Sequence, residues 1–308
     1  MQDKSVKGHT AMLVASILWG LSAPVSKEVL NAGVSALTLT TFRMVGGAAA
    51  FWIASLFVKQ EHVNHKDLLQ LFFAALFSIV LNQGTFVFGL SLTSPIDASV
   101  VTTMLPIVTM IVAAFYLKEP VTGKKVLGVF IGAMGALILI LSNKGNLASH
   151  SGSIWGDLLC LSAQFSFAIY LTFFRDLIKK YSGITIMKWM FIYASMCFVP
   201  FSYHDLTQVN FSEIPSAVYL EIAYVVIGAT FVSYLLIMVA QKTLRPTVVS
   251  MYNYVQPIVA SIVAVAIGID TFGLVKSISI VLVFLGVYVV TQSKSREQME
   301  AYEKQKEN

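Results

Sequence analysis

Apolar and polar positions alternate along the chain in blocks rather than residue by residue. Ten mostly apolar stretches cover 9–29, 36–58, 68–91, 96–117, 124–142, 154–174, 184–203, 216–240, 247–268 and 274–292. About 20 such residues cross a bilayer as a helix. In lipid the backbone must satisfy its own hydrogen bonds, so each stretch predicts an α-helix that spans a membrane. Most gaps are short. The two longer ones, 143–153 and 204–215, are rich in Ser, Asn, His and Gly or Asp.

Lysine and arginine set the expected orientation. With the N-terminus in the cytoplasm, 16 of the 21 basic residues fall in cytoplasmic gaps or tails. Lys27, Lys144, Lys188 and Lys276 fall at outer ends, and Arg43 lies within the second stretch. This excess of positive charge on one side predicts that both termini are cytoplasmic, with 293–308 a charged tail.

Composition sharpens the class. Hydrophobic residues make up 56% of the chain, charged residues 12%, and the mean hydropathy is +0.75, whereas soluble domains carry about 25% charged residues. That excludes a soluble enzyme, a disordered chain and a nucleic-acid module. The net charge of +5 serves orientation, so no nucleic acid partner is expected. Cys160 and Cys197 both lie in apolar stretches and form neither a disulfide framework nor a metal-ligand spacing, so no metal or cofactor is expected. Residues 1–7 are polar and no small-residue cleavage site follows, so the first stretch reads as a retained helix. Nothing in the pattern requires a second copy, and a monomer is allowed.

The chain also repeats itself. Residues 95–139 placed on 246–290, an offset of 151 without gaps, agree at ten of 45 positions, among them Pro95/Pro246, Ser99/Ser250 and Pro106/Pro257. A weaker match sets Gly8 on Gly156 and Ala15 on Ala163. The expected fold is therefore an all-α integral membrane protein, ten transmembrane helices as two five-helix repeats, 8–142 and 154–292. Five is odd, so the second repeat must run the opposite way across the membrane. Inverted repeats of this kind are characteristic of secondary transporters that open a central site alternately to each side.

Four segments carry a family resemblance: AMLVASILWGLSAPVSKEVL, LTTFRMVGGA, SPIDASVVTTMLPIVTMIVAAFYLKEPVTGKKVLGVFIGAMGALILI and PTVVSMYNYVQPIVASIVAVAIG. They resemble ten-helix members of the drug/metabolite transporter superfamily with two EamA domains, over about Gly8 to Gln292. The resemblance implies a multi-pass protein of a bacterial inner (plasma) membrane that exports small metabolites such as amino acids. In the small multidrug exporters of that superfamily a proton-binding glutamate would fall at Trp19, so the resemblance does not imply proton-coupled cation export.

Polar and aromatic residues deep in the apolar stretches are the candidate substrate contacts. Ser99, Thr102, Pro106 and Thr109 recur at helical spacing, and Ser250, Asn253 and Pro257 repeat the stripe. Pro106 and Pro257 are hinge candidates that free the carbonyls of Thr102 and Asn253. Asn82 and Gln83 interrupt an apolar run, and Gln256 precedes Pro257. Trp19, Tyr170, Tyr234 and Tyr252 lie deep in their stretches. The substrate-binding set is thus Trp19, Asn82, Gln83, Thr102, Tyr170, Tyr234, Asn253 and Gln256. For the polar members the competing reading is helix packing. Arg43 lies seven residues into its helix, and intramembrane charges are costly and usually functional. Glu28 and Asp97 are its expected partners, in a structural ion pair or an outer gate; a contact to a charged substrate is the alternative. The glycines at 128, 132 and 135 read as a packing face.

Two other classes stand against transport. A membrane-embedded enzyme would need a catalytic cluster, yet all five histidines lie outside the apolar core and no nucleophile–base set appears. A scaffold or receptor would have no need of an inverted repeat.

Overall fold

A computed structural model describes residues 2–93, 95–142, 153–209, 214–266 and 273–294. Among these residues all regular structure is helical. In chain order the helices are α1 (Gln2–Asn31), α2 (Ala36–Ser55), α3 (His65–Leu92), α4 (Pro95–Thr102), α5 (Leu105–Tyr116), α6 (Gly123–Ser142) and α7 (Ile154–Phe173). There follow α8 (Arg175–Lys180), α9 (Gly183–Gln208), α10 (Ser216–Thr243), α11 (Pro246–Met251), α12 (Val255–Ala266) and α13 (Leu274–Thr291). The starts are chemically marked. Ser35 accepts from the Thr38 amide at 3.1 Å and Ser182 from the Thr185 amide at 3.2 Å, N-caps for α2 and α9.

Seven of the described helices are long and apolar enough to cross a membrane, and Val100–Tyr116 is a shorter apolar segment. Their outer faces carry bare hydrocarbon. Phe115, Phe201 and Leu220 are 81%, 78% and 76% exposed, an arrangement suited to lipid and costly in water.

The expected stretches at 96–117 and 247–268 are not single helices. The first breaks at Thr103 and Met104, whose amides bond back three residues to the Val100 and Val101 carbonyls. The second tightens into a 3₁₀ turn at Tyr252–Tyr254. Each break lies just before the expected hinge proline, which cannot donate to the ladder. Two further distortions carry no proline. α3 contains a π-helical segment at Leu76–Leu81 and α10 one at Tyr224–Val232.

The tightest pairings join α6 to α13, α2 to α9, α3 to α7 and α1 to α10, with α5 on α7 and α12 on α1. Glycine permits the closest of these. A Cβ on Gly286 would sit 2.5 Å from the Gly132 nitrogen and 2.6 Å from the Gly128 oxygen. The expected packing face of α6 is therefore used, against α13.

Candidate functional site: a polar cavity at the centre of the bundle

The residues that interrupt the apolar stretches converge. Thirteen described residues from α1, α2, α3, α4, α7, α10 and the α11–α12 segment line one central cavity. The centre of a water molecule can move through about 90 Å³ of it, room for roughly half a dozen waters or a small solute.

One wall is aromatic. The Trp19 ring meets Phe167 and Tyr234 edge-on, each at 6.0 Å between centroids, and its Nε1 donates to the Ala229 carbonyl at 3.0 Å. Phe86 adds to this wall. A second wall is a row of amides. Asn82 Nδ2 donates to the Ala163 carbonyl at 2.9 Å, bridging α3 to α7. Gln83 Nε2 donates to Tyr234 Oη at 2.8 Å, and Tyr234 Oη in turn donates to the Ser78 carbonyl at 3.0 Å. Gln256 Nε2 donates to Asn253 Oδ1 at 3.1 Å. Gln83 Oε1 is buried without a hydrogen-bond partner. Thr102, Gln164, Ser22 and Ala23 complete the neutral lining.

Arg43 supplies the cavity's charge. It is 6% exposed, and its Nε donates to Thr230 Oγ1 at 3.1 Å. Thr230 in turn donates to the Val225 carbonyl, five residues back, at 2.8 Å within the π-helical segment of α10. The hydroxyl is thus fixed with a lone pair toward the arginine. The expected Glu28 partner does not meet Arg43. Glu28 is exposed, and no ion pair joins the two. Arg43 faces across the bundle to α10, whereas Glu28 turns outward near the end of α1. The Asp97 side chain lies outside the described residues.

Of the substrate-contact candidates, Trp19, Asn82, Gln83, Thr102, Tyr234, Asn253 and Gln256 all line the cavity. Tyr170 does not. It sits one turn further along α7, fully buried, stacked on Phe167 at 5.7 Å and on Phe174 at 6.4 Å. Thr109 and Ser250 are buried in helix contacts, and among the described side chains of each polar stripe one enters the cavity, Thr102 and Asn253; the Ser99 side chain lies outside the described residues. Gln164 was not among the candidates, although an amide in the run LLCLSAQFSF carries the same signal as Asn82. Ser22, Ala23, Phe86 and Phe167 carry no distinctive chemistry.

The EamA-like transporter family matches this chain twice, over residues 6–141 and 154–292. The chain belongs to that family. The uncharacterized transporter YyaM of Bacillus subtilis is 26% identical over 202 residues, 66% of this chain and 66% of its own length. A WAT1-related protein of Arabidopsis thaliana is 25% identical over 94% of this chain and 87% of its own. The Arabidopsis protein WALLS ARE THIN 1 is 24% identical over 94% of this chain and 83% of its own. One protein of known crystal structure superposes with a TM-score of 0.71 over 94% of this chain and 96% of its own. At 16% identity that likeness speaks to the fold alone. As an EamA-like transporter, with several helices fit to cross a bilayer, the chain is a multi-pass membrane protein that serves a small-molecule substrate.

Proposed function

We propose that the chain is a secondary transporter built from two inverted five-helix repeats, 8–142 and 154–292, that moves a small metabolite through the central cavity by alternating access. Trp19, Asn82, Gln83, Thr102, Tyr234, Asn253 and Gln256 contact the solute, and Pro106 and Pro257 are the hinges. In this reading ten helices cross a bacterial inner membrane, both termini are cytoplasmic, and the direction is export of metabolites such as amino acids. A single chain suffices for the cycle.

One observation carries the reading: repeat-equivalent residues touch one another across the cavity. The offset of 151 sets Gln83 on Tyr234, and these two share a hydrogen bond of 2.8 Å. The offset of 148 that sets Gly8 on Gly156 also sets Trp19 on Phe167, whose rings meet at 6.0 Å. A residue can touch its own counterpart only beside the axis that relates the two halves. A cavity on that axis, near mid-membrane, is where inverted-repeat transporters hold their solute. The helix pairings support the same symmetry, since α1 with α10 mirrors α7 with α3, and α12 on α1 mirrors α5 on α7. The π-helical segments agree too, as Leu76–Leu81 plus 151 falls within Tyr224–Val232.

An enzymatic reading finds less support. The described residues lining the cavity include no Asp, Glu, His, Cys or Lys, so acid–base and nucleophilic chemistry lack their usual carriers there.

The test is solute flux by purified protein in liposomes, with a labelled panel of amino acids, organic acids and nucleobases. Saturable flux of at least one panel member is expected. Asn253→Ala and Thr102→Ala should each lower it about tenfold or more, the loss of one or two cavity hydrogen bonds, with folded yield near normal. Flux equal to empty liposomes for the whole panel, or unchanged flux in both variants, would contradict the proposal.

A further inference from the structure

The cavity holds two polar groups that the protein leaves without a full complement of partners, and they differ in kind. One is the Arg43 guanidinium, which carries five N–H donors. Only its Nε has an acceptor among the described residues, and that acceptor is the neutral Thr230 hydroxyl. The side chain is more than nine-tenths buried and lines the cavity. The other is Gln83 Oε1, a buried acceptor with no donor, on a side chain 4% exposed that lines the same cavity.

Neither arrangement is what an empty structural site would favour. A buried guanidinium is costly unless a counter-charge and hydrogen-bond acceptors meet it. Here no described acidic side chain lines the cavity. The arginine is nevertheless held in place. Thr230 donates to Val225 and so presents a lone pair to Nε, leaving both Nη groups free to form a two-pronged contact. That fork matches the two oxygens of a carboxylate. Gln83 is fixed in the same way, with its Nε2 committed to Tyr234 and its oxygen left over.

We infer that the solute is a small carboxylate bearing a hydrogen-bond donor, an amino- or hydroxy-acid type, with Arg43 receiving the carboxylate and Gln83 Oε1 accepting from the donor. The aromatic wall of Trp19, Phe167 and Tyr234 then covers an apolar remainder. With room for roughly half a dozen waters, the solute is of about ten non-hydrogen atoms. The inference rests on the transport reading for the meaning of the cavity and adds the residue that sets its specificity.

Binding and flux are measured separately so that the two readings fail separately. Purified protein is titrated with 2-hydroxy-4-methylpentanoate, leucine and the neutral 2-hydroxy-4-methylpentanamide, following ligand-induced thermal stabilisation, and the same solutes are followed in liposome counterflow. At least one carboxylate is expected to stabilise the protein, with the amide at least tenfold weaker. Arg43→Gln should weaken the carboxylate about 10- to 100-fold, the loss of a charged hydrogen-bonded contact, and weaken the amide much less, so that the preference for the acid is lost. Arg43→Lys should keep part of the preference. Equal affinity of wild type for acid and amide, no binding of either carboxylate, or an undiminished carboxylate preference in Arg43→Gln would overturn the inference. Should Arg43→Gln fail to fold, Arg43→Lys decides, since an unaltered preference there gives the fork no role. Carboxylate binding lost in Arg43→Gln without flux of any solute by wild type would leave this assignment standing and overturn transport. Flux of neutral solutes with no carboxylate preference would do the reverse.

Discussion

At the scale of single residues, the buried hydrogen bonds of the cavity differ in what their loss costs. Tyr234 is 2% exposed and serves two partners, accepting from Gln83 and donating to the Ser78 carbonyl. Tyr234→Phe would leave the buried Gln83 amide without its acceptor and remove a second donor from the Ser78 carbonyl, a cost of about 1–3 kcal/mol. A lower thermal midpoint and a loss of flux are expected. Thr109→Val is the contrast, because the Thr109 hydroxyl is buried with no partner to lose; its midpoint should stay within the scatter of wild type. Residue identity in the sequence pointed to this site wherever a polar group interrupts hydrocarbon, since such a group needs a reason to be there. Asn82, Gln83, Thr102, Asn253 and Gln256 are of this kind. Phe167 and Ser22 were illegible because an aromatic or a small residue suits lipid, core and cavity alike. Arg43 was legible as a charge at depth, but its neighbour was not. Depth follows from counting along one helix, whereas the Thr230 contact depends on where α10 lies.

At the scale of elements, every irregular helix reaches the cavity, α3, α10 and the broken α4–α5 and α11–α12 segments, alongside the regular α1, α2 and α7. Pro106 and Pro257 were visible in the sequence, and the structure adds that the breaks fall at Thr103–Met104 and Tyr252–Tyr254, beside the cavity residues Thr102 and Asn253. The π-helical segments were not legible. LFSIVL contains neither glycine nor proline and YVVIGATFV only Gly228, and one residue inserted into a turn leaves no trace in an apolar run. Their effect is specific, since the second segment aims Thr230 at Arg43. The regular pair α6 and α13 behaves as scaffold. Gly286→Val is expected to push the two backbones apart, an overpacking cost of about 1–3 kcal/mol or more, read as reduced folded yield. Gly123→Ala, with nothing within 4 Å of an added Cβ, should leave yield unchanged.

At the scale of the whole molecule, hydropathy and the matched prolines were enough to anticipate an all-helical membrane protein with a cavity between two halves. The partnerships of α1 with α10 and of α3 with α7 could not be read locally, because a lipid-exposed face and a helix-packing face are equally apolar. The central claim is that this cavity is the transport site and opens to both sides of the membrane. The most direct measurement is the two-sided accessibility of Ser22, which lines it. Ser22→Cys, in a chain whose Cys160 and Cys197 are replaced by Ala, is reacted in oriented vesicles with a membrane-impermeant thiol reagent applied to each side in turn. The account predicts labelling from both sides, with a transported solute at saturation slowing both reactions. Labelling from one side only, whether or not solute is present, would contradict it.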